Sequence, residues 1–333
     1  MKENKNSIMD RRQFIKNAAV GLSFFSSFGL GSLIGKETMK KTKIALVKTN
    51  DRAKGVQEAL KILEFAPVKN KRVFIKPNFN TADPPPGSTH NDTLSQLIAE
   101  IRNRGASEIT VGERSGPPDT KKVLEDKGIF ELAKKLDFKI INFEELPEND
   151  WVHFNPTGTH WKNGFYLARP AVEADYPVSL CCLKTHQYGG VFTMSLKLSV
   201  GLTPKKLMRE LHSSPDMRKM IAELNQPYTP QLVVMDAMEA FVDGGPMKGT
   251  VKNANVIVAG CDRVAIDAVG VAILKELGAN ENIMGRKIFE QEQIKRAAEL
   301  GLGISNPEQI EFVTADKASS DYTQKLKEIL AKG

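Results

Sequence analysis

Apolar residues recur along this chain in two alternating rhythms. Short apolar runs, "KIALVKT" from Lys43, "RVFIKPN", "EITVGE", "FKIINF" and "PVSLCCLK", read as strands. The last is apolar almost throughout, as strands covered on both faces are. Between them lie segments with helical spacing. "VQEALKILEFA" places Val56, Leu60 and Leu63 on one face. "DTLSQLIAEIRNRG" places Leu94, Leu97, Ile98 and Ile101 at i, i+3, i+4 and i+7, and Gly105 ends it. Further on, the strand-like "QLVVMDA", "NANVIVAG" and "IEFV" are separated by "RVAIDAVGVAILKELG", apolar on nearly every side, and "MGRKIFEQEQIKRAAELG". This alternation predicts an α/β fold: a mostly parallel twisted sheet with helices on both faces. Thr203–Pro204 and Ser214–Pro215 read as helix starts, the second leading Met217, Met220, Ile221 and Leu224 inward. The polar stretch 147–164, "PENDWVHFNPTGTHWKNG", reads as an inserted hairpin or an excursion, with His153 and His160 as surface or lid residues. No boundary divides residues 40–333, which are expected to form a single α/β domain.

The first 39 residues follow another logic. Arg11 and Arg12 stand together, with Phe14, Ile15 and Lys16 behind them, ahead of an uncharged stretch from Ala18 to Ile34. That stretch is too short and too diluted by Ser and Gly for a comfortable membrane span. The arrangement resembles a twin-arginine signal, with Asp10 at its first position. It implies export by the twin-arginine machinery to the periplasm or cell envelope. Cleavage after Gly31 and retention as a membrane anchor both stay open.

Charge alters the picture little. The net charge is +7 over 333 residues, and residues 1–39 contribute six basic against three acidic side chains. The remainder is too mildly basic, and too poor in aromatic–basic stripes, for a nucleic-acid partner. Three cysteines are too few for a four-thiolate iron–sulfur cluster. Cys181 and Cys182 are adjacent in a strand and so face opposite ways.

The candidate chemistry lies at strand ends. Lys76 and Asn78 close one strand, Glu113 and Ser115 the next, and Lys184 and His186 the "CCLK" strand; Asp236 and Asp262 follow two later ones. In an open parallel sheet those ends line the ligand crevice, although Asp262 and Ser115 also suit helix N-capping. Gly189, Gly190 and the Gly244–Gly245 pair permit close backbone approach. Lys184 and His186, two residues apart, point the same way in an extended strand. Lys197 lies amid Met194, Leu196, Leu198 and Val200, where an ammonium needs an anionic partner, a covalent adduct or a route to solvent. Asp236 and Asp267 are the candidate carboxylates for a purely structural pairing. Lys184, His186 and Lys197 are therefore the candidate catalytic residues. Lys76, Asn78, Glu113, Gly189, Gly190, Asp236 and Gly245 are candidates for holding a cofactor. His186 and His212 are the candidate metal ligands. His90 is either a member of the crevice or a solvated loop residue.

Several stretches carry a family resemblance: "VFIKPNFN", "ITVGERSG", "CCLKTHQYGGVFTMSLKLSVGL", "VVMDAMEAFVDGGPMKG" and "DRVAIDAVG". In this order they resemble the domain of unknown function 362, from about Lys43 to Phe312. Many members append a four-cysteine ferredoxin-type domain, which this chain lacks. The order His186, Lys197, His212 is also distantly similar to the nickel-pincer lactate racemase family. There a lysine anchors a nicotinate-derived cofactor, and histidines ligate nickel or move a proton. Here the Gly-Gly pair is not adjacent to the lysine. The first reading is an exported α/β enzyme acting on a small anionic molecule, with lysines binding or activating the substrate and histidine moving protons or ligating a divalent metal; a lysine-linked organic cofactor is what the racemase resemblance implies. The rival reading is a non-enzymatic binding protein or assembly factor that captures an anionic ligand or docks a redox partner, and the domain of unknown function 362 carries over no settled activity.

Overall fold

The computed structural model describes residues 41–333, so the twin-arginine reading lies outside the described residues. The strands are β1 (Thr42–Lys48), β2 (Arg72–Lys76), β3 (Glu108–Glu113), β4 (Lys139–Asn142), β5 (Trp151–Phe154), β6 (Phe165–Ala168), β7 (Tyr176–His186), β8 (Val191–Thr193), β9 (Leu232–Gly244), β10 (Gly249–Gly260) and β11 (Ile310–Val313). The main sheet runs β11-β1-β10-β9-β7-β2-β3-β4, with β8 added to β7. Its β11–β1, β9–β7, β7–β2, β2–β3 and β3–β4 pairs are parallel. The fold is α/β with a mostly parallel sheet.

Helices α1 (Arg52–Ile62) and α2 (Asn91–Asn103) bury Val56, Leu60, Leu94, Leu97, Ile98 and Ile101 in one core. After β8 come α3 (Ser195–Leu198), α4 (Met208–Ser213) and α5 (Met217–Glu223). Then α6 (Arg263–Glu276), α7 (Glu292–Glu299) and α8 (Lys317–Lys332) contribute to a second core. Every residue of α6 from Arg263 to Leu274 is buried, which is why its sequence lacks a polar face. Met217, Met220, Ile221 and Leu224 are buried as predicted. Helix starts shift slightly. Pro204 caps a 3₁₀ turn at Lys205–Leu207, and Asp216 precedes α5 while Ser214 accepts its amide.

Two features place the site. First, β9 and β10 are longer than the apolar runs implied. They form an antiparallel hairpin whose tip reaches the end of β7, where Thr185 donates to the Gly244 carbonyl at 3.2 Å. Gly245 has φ +73, and a Cβ there would lie 2.0 Å from the Thr185 carbonyl oxygen. Second, the chain leaves β2 for β3 and β4 on one side, yet leaves β7 for β9 on the other. The connections after β2 and β7 therefore diverge, and a crevice opens between neighbouring strand ends at this switch point.

The excursion between β4 and β6 is a hairpin, β5 with β6. It is anchored more firmly than a lid. Trp161 is buried and donates to the Met220 carbonyl, and His160 Nδ1 meets the buried Glu223 carboxylate at 2.6 Å. His153 is exposed and meets the Asn163 carbonyl.

Candidate functional site

At the switch point lies a small inner chamber of about 60 Å³. Lys76, Asn78, Glu113, Lys184, His186, Thr193 and Lys197 are among the side chains around it. A wider vestibule of about 700 Å³ adjoins it, and Asn80, Arg114, His186, Lys197, Val200 and Pro246 line both. These shared residues form the throat.

The chamber floor is an ion pair. Lys76 and Glu113 end adjacent parallel strands and meet with almost no exposure. Glu113 also accepts the Phe79 amide at 2.7 Å and the Arg114 amide at 2.9 Å. Burial pushes the Glu113 carboxyl up and the Lys76 ammonium down, while each partner opposes the other's shift. Above the pair runs Gly201, where a Cβ would lie 2.8 Å from Lys76 Nζ.

The other cations lack a carboxylate partner. Lys184 donates to Asn78 Oδ1 at 3.1 Å and to the Gly87 carbonyl. Burial lowers it to about 8. Arg114 donates to the Thr203, Ser115 and Val200 carbonyls, and burial lowers it to about 10. The Lys197 side chain forms no hydrogen bond or ion pair among the described residues. It is 8% exposed, and burial first, then Arg114 and Lys184, lower it to about 7. Its amine therefore opens onto the cavity, the route to solvent that its apolar surroundings demand. Neither candidate carboxylate pairs with it. Asp267 accepts the Ser195 and Leu196 amides at 2.8 and 3.0 Å, satisfying the start of the short α3 that carries Lys197. Asp236 is held by Arg52 and Thr93.

His186 is neutral. Burial, then Lys197, push it down to about 2, and Nδ1 accepts the Gly190 amide at 3.3 Å. An accepting Nδ1 leaves the ring proton on Nε2, making that nitrogen a hydrogen-bond donor. Gly190 is where close approach matters: a Cβ would stand 2.8 Å from both His186 Nδ1 and Lys197 Cε. Gly190→Ala is expected to displace both side chains, cost about 1–3 kcal/mol, and shift the His186 ring resonances. An unchanged melt with unchanged resonances would contradict this.

Residues 73–272 match the family model for a domain of unknown function, DUF362. The chain belongs to this family. The thylakoid-associated protein sll1697 of Synechocystis sp. is 25% identical over 249 residues, covering 72% of this chain and 74% of that protein. The lactate racemase apoprotein from Thermoanaerobacterium thermosaccharolyticum has a TM-score of 0.46 at 12% identity, covering 86% of each chain. That is a distant likeness.

In this DUF362 chain, six of the predicted residues meet at one chamber: Lys76, Asn78, Glu113, Lys184, His186 and Lys197. Gly189 (φ +80) and Gly190 shape the turn beside it, and Gly245 seats the hairpin tip. His212, on α4, reaches only the vestibule. Two expectations are corrected. Asp236 sits opposite Cys182, before the end of β7, and serves Arg52 and Thr93 rather than the crevice. Asp262 follows β10, which runs antiparallel to β9, so it emerges at the other edge; there it caps α6. His90 caps α2. A divalent metal fits poorly. Among the described residues no three His, Cys, Asp or Glu side chains converge on one point, and the His186 tautomer presents N–H to the cavity. Arg114, Thr193 and Asn80 escaped the sequence reading. Arg114 stands inside "GERSG", a stretch whose turn signal masked a buried cation.

Proposed function

We propose that this protein is an enzyme that binds a small anionic molecule in the chamber and moves a proton on the atom next to its charged group. Lys184 lines only the chamber, so it meets the oxyanion; Lys197 and His186 line the throat, where the neighbouring atom would lie. Near neutral pH the Lys197 side chain exists as both amine and ammonium, the condition in which one group can take and return a proton. The His186 Nε2–H would donate to the oxygen on which charge develops, as a neutral imidazole can. This is the chemistry of an isomerase or racemase. The observation that carries it is the unpartnered, buried Lys197 amine at the throat of a cationic cavity.

The test is hydrogen–deuterium exchange in D₂O on a panel of short acids: acetate, propionate, phenylacetate and 2-hydroxybutyrate. Protein-dependent exchange next to the carboxylate is expected, rising as pH passes about 7 and Lys197 loses its proton. Binding without exchange would instead support the second reading, a ligand-binding or redox-assembly factor of the cell envelope.

Export by the twin-arginine machinery is a separate part of the proposal, resting on Arg11–Arg12, Phe14 and Lys16. Replacing both arginines with lysine is expected to hold the protein in the cytoplasm. Continued arrival of the double variant in the cell envelope would refute it. Among the described residues no helix is long and apolar enough to cross a membrane.

A further inference from the structure

The chamber and the vestibule differ in chemistry, and the difference describes a ligand. The chamber is polar, and two of its donors have no acceptor. Thr193, 6% exposed, has a hydroxyl with no hydrogen-bond partner, and Lys197 has no partner either. A buried hydroxyl left unmatched is costly; Ser195 Oγ and Gln293 Oε1 are unmatched as well, but Thr193 is the one that lines the chamber. Thr193 is the last residue of β8, opposite Lys184 in the register, so both approach the chamber from paired strands. The vestibule carries charge too, from Arg114, Lys205 and His212, but Pro117, Met208 and Met247 join the throat's Val200 and Pro246 to give it an apolar wall, with Tyr188 55% exposed beside it. Its volume of about 700 Å³ far exceeds what a two- or three-carbon acid fills, and lies within the range of sites for larger ligands.

We propose that the ligand is an amphipathic anion: one oxyanion head hydrogen-bonded to Thr193 and Lys184 in the chamber, and an alkyl or aryl body packed in the vestibule against Met208 and Met247. Thr193 is the specificity-determining donor, because its single hydroxyl needs an acceptor and gains nothing from an apolar group. Met side chains suit a body of variable shape, being unbranched and polarizable. This inference rests on the anion-binding reading above and adds the body of the ligand to it.

The test is a length series measured by calorimetry on the full chain: acetate, butyrate, hexanoate, octanoate and phenylbutyrate, with the matching alkyl phosphates as a second arm. Affinity is expected to rise by about fourfold per methylene until the vestibule is filled. Met247→Asp is expected to flatten that rise to less than twofold per methylene. Thr193→Val, which keeps the shape of the side chain, is expected to weaken every member by roughly tenfold while preserving the slope; thermal melts check that both variants fold. The two arms decide whether the head is a carboxylate or a phosphate. Short anions that bind with no gain along the series would overturn this proposal and leave the anion-binding reading standing. A protein that binds neither short nor long anions would overturn both.

Discussion

Lys197→Met is expected to abolish proton exchange, by about a hundredfold or more, while making the folded protein more stable at neutral pH. The two effects share one cause. Lys197 is buried with no counter-charge, and burial holds it near 7 against its ordinary 10.5. Between those values the unfolded chain binds a proton that the folded chain rejects. Folding stability therefore rises with pH across that window, and below about 7 the cost of the charge is fully present. Methionine removes the cost, on the order of a few kcal/mol, so the variant should exceed the parent near pH 6.5. The difference should shrink as pH climbs toward 10. Denaturant unfolding of both proteins at several pH values reads this, because groups remote from Lys197 cancel in the difference; His186 and His212, which burial and then Lys197 push down, do not cancel, but as histidines they titrate below that window. A variant that is less stable at every pH and still exchanges deuterium would mean that Lys197 braces the fold.

The Lys76–Glu113 pair predicts the opposite behaviour. Lys76→Met leaves Glu113 at the centre of the sheet edge with two amide donors but no cation hydrogen-bonded to it. Stranding one member of a buried ion pair costs about 3–5 kcal/mol, a loss of roughly 5–8 °C in melting temperature for a domain of this size. The pH dependence follows from the remaining carboxyl. Burial raises Glu113 above its ordinary 4.5, and losing Lys76 removes the main opposing influence. The folded variant then holds a proton that the unfolded chain releases, so its stability falls as pH rises above about 4.5. The deficit should be smaller at pH 5 than at pH 8. Adding Glu113→Gln should recover much of the loss, since a neutral amide needs no cation. Equal deficits at both pH values, or no rescue by the second substitution, would show that packing rather than charge sets the cost.

How far the site was legible depended on the kind of relation involved. Relations local in sequence were readable. Lys184 and His186 share a strand end because extended residues two apart face the same way. Lys76 and Glu113 close strands that apolar runs announced, and parallel pairing brings such ends to one edge. The apolar surroundings of Lys197 were themselves the signal that its charge needed an outlet. Relations that cross the sheet were not readable. Asp236 and Asp262 look like strand-end acids in the sequence, just as Glu113 does. Only the pairing shows that β9 continues eight residues past Asp236 and that β10 runs the other way. Thr193 gave no signal at all, since a threonine in a short apolar run is ordinary until its hydroxyl is found buried and unmatched. By itself the sequence determined the α/β class, the helix faces and which strand ends carry charge, because periodicity and burial are set within a few residues. The tertiary structure alone decided which of those charges meet. Strand order and direction are fixed by long-range packing, and the switch between β2 and β7 that opens the cavity has no local sequence signature.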